Sequence, residues 1–370
     1  MSDAYWRLAL RHLPGILAVL GLVAWLAPPP SPTDQGMMER VGQGVIVPGC
    51  ADLNCFRILV PATVEAFPGP SLPRWRVYAV LANTAAALAA GRLALALGLT
   101  MAASILTMWL SALGAGSFST IYHPYNADPL VLFLAPVITL LLLQRRTMAA
   151  GVISTAGIFA KEFAAAPLYI AAAASALKRD WAGLRRHALL ALAVTAIWIG
   201  LQIALMSAFG YSYNDNPSSR PLQGGYLVFW LRNVGPMAAA FGLFGAFGAL
   251  NLLIPLGWKL ASADLRALSI GAIPALLAFM VVATPERVLW NFFFLAVPLA
   301  AIVLAALPVG LSWLFVACYG LANFRIGGQL PNVPASRYAI VVTLLIGAVA
   351  IVRALRTPVA SSPIAVMTTP

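Results

Sequence analysis

The sequence predicts an all-α polytopic membrane protein, a bundle of about twelve helical segments. Three observations carry that expectation. Hydrophobic residues make up 61% of the chain against 9% charged, with a mean hydropathy of +0.89, so lipid is the solvent for most of it. Apolar runs approaching about 20 residues recur along the length, as a helical span requires. These runs are continuous and do not alternate at period two, which excludes a transmembrane barrel and leaves helices, whose backbone groups satisfy one another in hydrocarbon.

Taken in order, the segments fall at about 12–28, 76–97, 101–119, 129–143, 148–160, 163–177, 188–208, 235–257, 267–284, 288–306, 309–323 and 338–353. The first follows Arg7, Arg11 and His12 and ends in Pro28-Pro29-Pro30 with no clear small-x-small site, so it reads as a retained helix and not a cleaved signal. Residues 28–75 then form the one long polar interruption near the N-terminus. Residues 1–356 are expected to form a single transmembrane domain. The tail 357–370, rich in Pro, Ser and Thr, reads as disordered.

The formal net charge of +12 would suggest nucleic acid in a soluble protein. Here basic loops that hold helices on the cytosolic side explain it, and no nucleic-acid partner is expected. The same rule decides how Gly151 to Leu177 folds. A single span would put Arg145-Arg146 and the basic cluster from Lys178 to Arg186 on opposite faces; two short helices turning at Lys161-Glu162 keep both clusters inside. Most acids then lie outside, beside a set of outer bases that includes Arg57 and Arg287. Arg is the natural partner of phosphate, so this set points to an outward site for an anion, with loops pairing their own charges as the alternative.

Several outer residues could carry chemistry. Asp34 follows the first helix closely, where a carboxylate at the membrane surface could act as general base; the alternative is an N-cap for a short helix through Met38. Cys50 and Cys55 have the spacing of a small disulfide-closed loop, and the loop has no histidine to suggest a metal. Arg57, before an apolar run, could bind phosphate or reach the lipid headgroups. His123 and Asp128 share the second outer loop with Tyr122, Tyr125 and Asn126; they could orient a sugar or bind a metal, while an Asp128 cap ahead of Pro129 is the local alternative. Lys161-Glu162 at the hairpin tip is expensive at membrane depth unless it faces a cavity or a partner. Glu286-Arg287 precedes an aromatic, proline-containing helix, and Arg287 could hold a lipid phosphate. The outer loop from about Gly210 to Gly225, with Asp215 and Arg220, has the composition of a connection or a lid.

With these residues in place, the pattern over most of Leu13 to Pro308 resembles the GT-C fold superfamily of integral-membrane glycosyltransferases. The resemblance rests on the large first outer loop with its early acid, the second outer loop with an Asp, the short hairpin with Lys161-Glu162 before Pro167, and Glu286-Arg287. It implies that Asp34 is the catalytic base, Asp128 the second acidic position and Arg287 a ligand of the carrier phosphate; the residue reading adds Glu162 as a further catalytic candidate and Arg57, His123 and Lys161 as substrate-binding candidates. The implied partner is a polyprenyl-phosphate-linked sugar presented by membrane lipid, in a multi-pass protein of a bacterial inner membrane. A divalent metal cofactor is compatible with the family, but neither outer loop carries a clear Asp-x-Asp motif. Two other classes remain: a transporter or flippase for a lipid-linked or anionic solute, and a non-catalytic membrane scaffold.

Overall fold

The computed structural model describes residues 2–212, 232, 236–282, 285–324 and 334–356. Every regular element among them is helical. In chain order the α-helices are α1 (Ser2–Trp25), α2 (Pro32–Gly42), α3 (Leu59–Glu65), α4 (Ser71–Ala96), α5 (Met101–Ala112), α6 (Ala115–Tyr122), α7 (Asp128–Leu143), α8 (Thr147–Ile158) and α9 (Ala166–Leu177). They continue with α10 (Trp181–Phe209), α11 (Pro236–Phe247), α12 (Leu250–Leu260), α13 (Ala263–Val282), α14 (Pro285–Asn291), α15 (Phe293–Ala305), α16 (Val309–Asn323) and α17 (Pro334–Arg356). The expected loop around Asp215 and Arg220 and the tail 357–370 lie outside the described residues.

Among the described residues, six helical stretches are long and apolar enough to cross a membrane: Asp3–Trp25, Ser71–Ala96, Met101–Tyr122, Trp181–Phe209, Ala263–Met280 and Arg337–Leu355. That is the pattern of a multi-pass membrane protein. The other apolar helices are shorter, α7 to α9 among them, and do not reach across about 30 Å of hydrocarbon by length alone. The segment expected over 235–257 is two helices, α11 and α12, because the chain turns at Gly248, whose φ of +53° is open to glycine at little cost.

Small residues set the packing. The face of α4 that carries Ala86, Ala87, Ala90 and Ala94 is buried, and α4 packs against α1, α5 and α7. Without a hydrophobic drive between helices in lipid, such close contact supplies the van der Waals attraction that holds a bundle together. Gly271 of α13 shows the limit: a Cβ there would come within 2.8 Å of the Ile170 carbonyl oxygen on α9. The outward side of α10 is left to lipid, since only 17% of its apolar window is buried.

The polar stretch 28–75 is built, not loose. It contains α2, a 3-10 turn at Leu53–Phe56, and α3, and it runs into the first turn of α4. A Cys50–Cys55 disulfide closes its tightest loop. Cys50, Cys55 and Phe56 bury against Tyr211, and the backbone seals the contact through Gly49 N–H to Phe209 O at 2.9 Å and Ser212 N–H to Cys50 O at 2.9 Å. The stretch 28–75 is thereby fixed on the end of α10.

Candidate functional site

The site forms where four chain segments meet: the entrance of α7, the turn between α8 and α9, the residue that follows the 3-10 turn of the stretch 28–75, and the start of α14. Asp128 is the first residue of α7, but it does not cap it. The N-cap position is Ala127, which offers no side chain for the purpose, and Asn126 Oδ1 accepts from the Asp128 backbone N–H at 2.8 Å. The Asp128 carboxylate is left for other partners, and it has two: the Lys161 ammonium donates to Oδ1, and Arg287 donates from Nη2 to Oδ2 at 3.1 Å.

The turn after α8 is short and tight, with Lys161 N–H donating to the Gly157 carbonyl at 3.0 Å. Lys161 then takes an extended backbone and a 3-10 turn, Glu162–Ala165, leads into α9. This geometry separates the two charged neighbours. Lys161 turns to Asp128, whereas Glu162 faces Arg57, with 3.7 Å between Oε1 and Nη2. Arg57 is braced from behind by Asn54 Oδ1 at 3.3 Å. Backbone pairing adds to the link, as Leu59 N–H donates to Phe159 O at 3.0 Å.

The result is a cluster of three cations, Arg57, Lys161 and Arg287, around two carboxylates, Asp128 and Glu162. It is graded in depth. The side chains of Lys161 and Asp128 are 10% and 13% exposed, whereas that of Arg287 is 53% exposed. An inner pair this buried is tolerable because each member has its counter-charge; removing either would strand the other. The cluster thus carries one positive charge in excess, with the Arg287 guanidinium at its exposed edge.

A second polar network supports the first. Glu65 at the end of α3 accepts from Trp75 Nε1 at 2.7 Å and from Ser71 Oγ at 3.0 Å, and pairs with Arg74. Ser71 Oγ also meets Tyr125 Oη at 3.2 Å, and Tyr125 reaches Glu39 Oε1 at 3.4 Å. Burial pushes the Tyr125 phenol upward, Ser71 opposes the shift and Glu39 reinforces it, so this hydroxyl stays a proton donor. Beneath the network, Met38, Val60, Val64, Trp75, Tyr125, Ala127 and Ala160 share one apolar cluster. Ala127 and Ala160 are the residues directly before Asp128 and Lys161, so the network braces both halves of the cluster.

A groove runs from this cluster along the helices. It holds about 510 Å³, and among the described residues Glu162 is its one charged wall residue. The rest is apolar surface from α9, α10 and α13, such as Ala166, Trp198, Ala275 and Phe279, relieved by the Tyr169 and Thr195 hydroxyls, which hydrogen-bond to each other at 2.6 Å.

Of the residues singled out in the sequence, Asp128, Glu162, Arg57, Lys161 and Arg287 converge. His123 follows α6 with an exposed side chain, and it enters the loop through its backbone, accepting from Asn126 Nδ2. Asp34 lies in the first turn of α2, one helical turn before Met38 and on the same face. It is half-buried and has no ion pair or side-chain hydrogen bond among the described residues. Its anticipated capping position belongs to Ser31. Sequence reasoning placed Tyr125 and Asn126 in one loop with His123 and Asp128 without giving either a role of its own, and it gave none to Glu65. Among the described residues no group of three His, Cys, Asp or Glu side chains gathers to hold a metal. No family model, curated protein or solved structure matches the chain.

Proposed function

We propose that this chain is a membrane glycosyltransferase of the GT-C kind that it resembles, moving a sugar from a polyprenyl-phosphate donor to an acceptor on the outer face of a bacterial inner membrane. On this reading the six long and six shorter apolar helices are its twelve membrane segments. One observation carries the proposal: an apolar groove of about 510 Å³ opens at Glu162 onto a cluster with more cations than acids. That pairing of surfaces suits an amphiphile with a long hydrocarbon tail and a phosphate head.

The roles follow from the partners each residue has. Arg57 and Arg287 bind the phosphate, and Lys161 supplies a third positive charge at depth. Asp128 orders Lys161 and Arg287; its two cationic partners make it a poor proton acceptor. Glu162 holds Arg57 at the groove mouth. Asp34 is the acid without such partners and serves as the base. An acceptor hydroxyl attacks the anomeric carbon, the new C–O bond forms as the C–O bond to phosphate breaks, and the hydroxyl proton passes to Asp34. Polyprenyl phosphate leaves with the bonding pair, its charge stabilised by the cluster, and the anomeric centre inverts.

Binding of a short-chain polyprenyl phosphate to the purified protein in nanodiscs tests the reading. Binding that weakens about tenfold in Arg287→Gln, and transfer that is lost in Asp34→Asn with binding retained, would support it. Full transfer in Asp34→Asn would remove the base, and equal binding in wild type and Arg287→Gln would remove the phosphate site.

A further inference from the structure

The stretch 28–75 carries an exposed apolar tip. Between Arg40 and Asp52 the chain has no charged residue, and Val45 and Ile46 in the middle of that run are 45% and 48% exposed. The tip is held at both ends. At the end of α2, Gly44 N–H donates to Val41 O at 3.1 Å and Val45 N–H to Arg40 O at 2.9 Å, and Gly44 takes a φ of +72° that turns the chain out of the helix. On the far side Gly49 N–H donates to Phe209 O, and Val47 packs into the same small cluster as Leu205 and Phe209 of α10.

Helix α10 fixes the height of that contact. Its charged residues, Arg185 and Arg186, lie near its start, and from Ala188 to Phe209 it has none. That run is roughly 33 Å long, close to the hydrocarbon thickness of about 30 Å. With Arg185 and Arg186 at one membrane surface, Phe209 arrives at the other, and Leu205 lies roughly 6 Å deeper. Ile203 and Met206 at this end of the helix are exposed, so the side of α10 beside the tip faces lipid.

We infer that the Val45-Ile46 tip is seated in the membrane as a shallow anchor, with the headgroup and upper acyl region of the bilayer as its partner. Continuity with the lipid-facing side of α10 names the occupant. Two adjacent β-branched side chains within two residues of the contact with Leu205 and Phe209 leave water on entering that region, and no charge between Arg40 and Asp52 opposes their entry. The anchor sets how high two connected parts stand above the bilayer: α2 with Asp34 on one side, and the disulfide-closed loop leading to Arg57 on the other. It holds whether or not the chain transfers a sugar.

Photocrosslinking of the full-length protein in phosphatidylcholine nanodiscs tests this, with Ile46→p-benzoylphenylalanine as the probe and Met206→p-benzoylphenylalanine as the lipid-facing reference. Irradiation is expected to add one phosphatidylcholine to each variant at comparable yield, with fragment masses placing the link in an acyl chain. A second measurement needs no probe. Val45→Asp with Ile46→Asp is expected to lower the melting temperature in the same nanodiscs by several degrees, whereas exposed side chains in water tolerate such a change with almost no shift. The inference is overturned if position 46 yields no lipid adduct, if it crosslinks to protein instead, or if the Asp pair melts with its parent.

Discussion

Lys161 passes over its neighbour Glu162 and donates to Asp128, 33 positions earlier in the chain. Glu162 is left to Arg57, so two adjacent charges tie the hairpin tip to two different outer loops. The hairpin cannot move without both.

The inner pair should dominate stability. Asp128→Asn is expected to cost roughly 3 kcal/mol or more, because a buried ammonium loses its counter-charge. Adding Lys161→Met to that variant should restore much of the loss. Thermal unfolding of the two single variants and the double variant closes the cycle; additive losses would show that the pair is not coupled.

Arg287 should behave in the opposite way. Its side chain is half exposed, so Arg287→Gln is expected to shift stability by less than about 1 kcal/mol. The same change should weaken polyprenyl-phosphate binding about tenfold. A large fall in melting temperature would instead make Arg287 a structural residue.

The groove can be blocked without touching charge. Ala278 lines it from α13 with an exposed side chain, and Ala278→Trp should reduce binding of a long-chain polyprenyl phosphate while leaving inorganic phosphate at the cluster unaffected. Gly271→Leu, one face further in, should destabilise the bundle because its Cβ has no room against the α9 backbone. Unchanged long-chain binding in Ala278→Trp would separate the groove from the ligand.

The disulfide should matter locally. Arg57 lies two residues after Cys55, so Cys50→Ser with Cys55→Ser frees the segment that positions it. Closing a loop this short contributes about 2 kcal/mol in the chain-entropy estimate, at the low end for a disulfide. Headgroup binding is therefore expected to drop several-fold with a fall of only a few degrees in melting temperature, measured by titration and calorimetry on the same preparation.

Helicity, membrane residence, the hairpin around Lys161-Glu162 and the disulfide were all legible in the sequence. Each depends on local quantities: mean hydropathy over a window, the side on which basic loops remain, or the spacing of two cysteines. The partners of the charges were not legible. Arg287 reaches Asp128 across 159 positions, and that contact exists only because helix packing places α7 and α14 together. Nor did the sequence show that Asn126 accepts from the Asp128 N–H while the Asp128 carboxylate turns to Lys161 and Arg287, or that Asp34 on α2 has no ion pair among the described residues. Hydrophobic patterning is additive along the chain, whereas electrostatic pairing falls with distance in space, so only the tertiary structure could choose among the acids and bases that the outer loops supply.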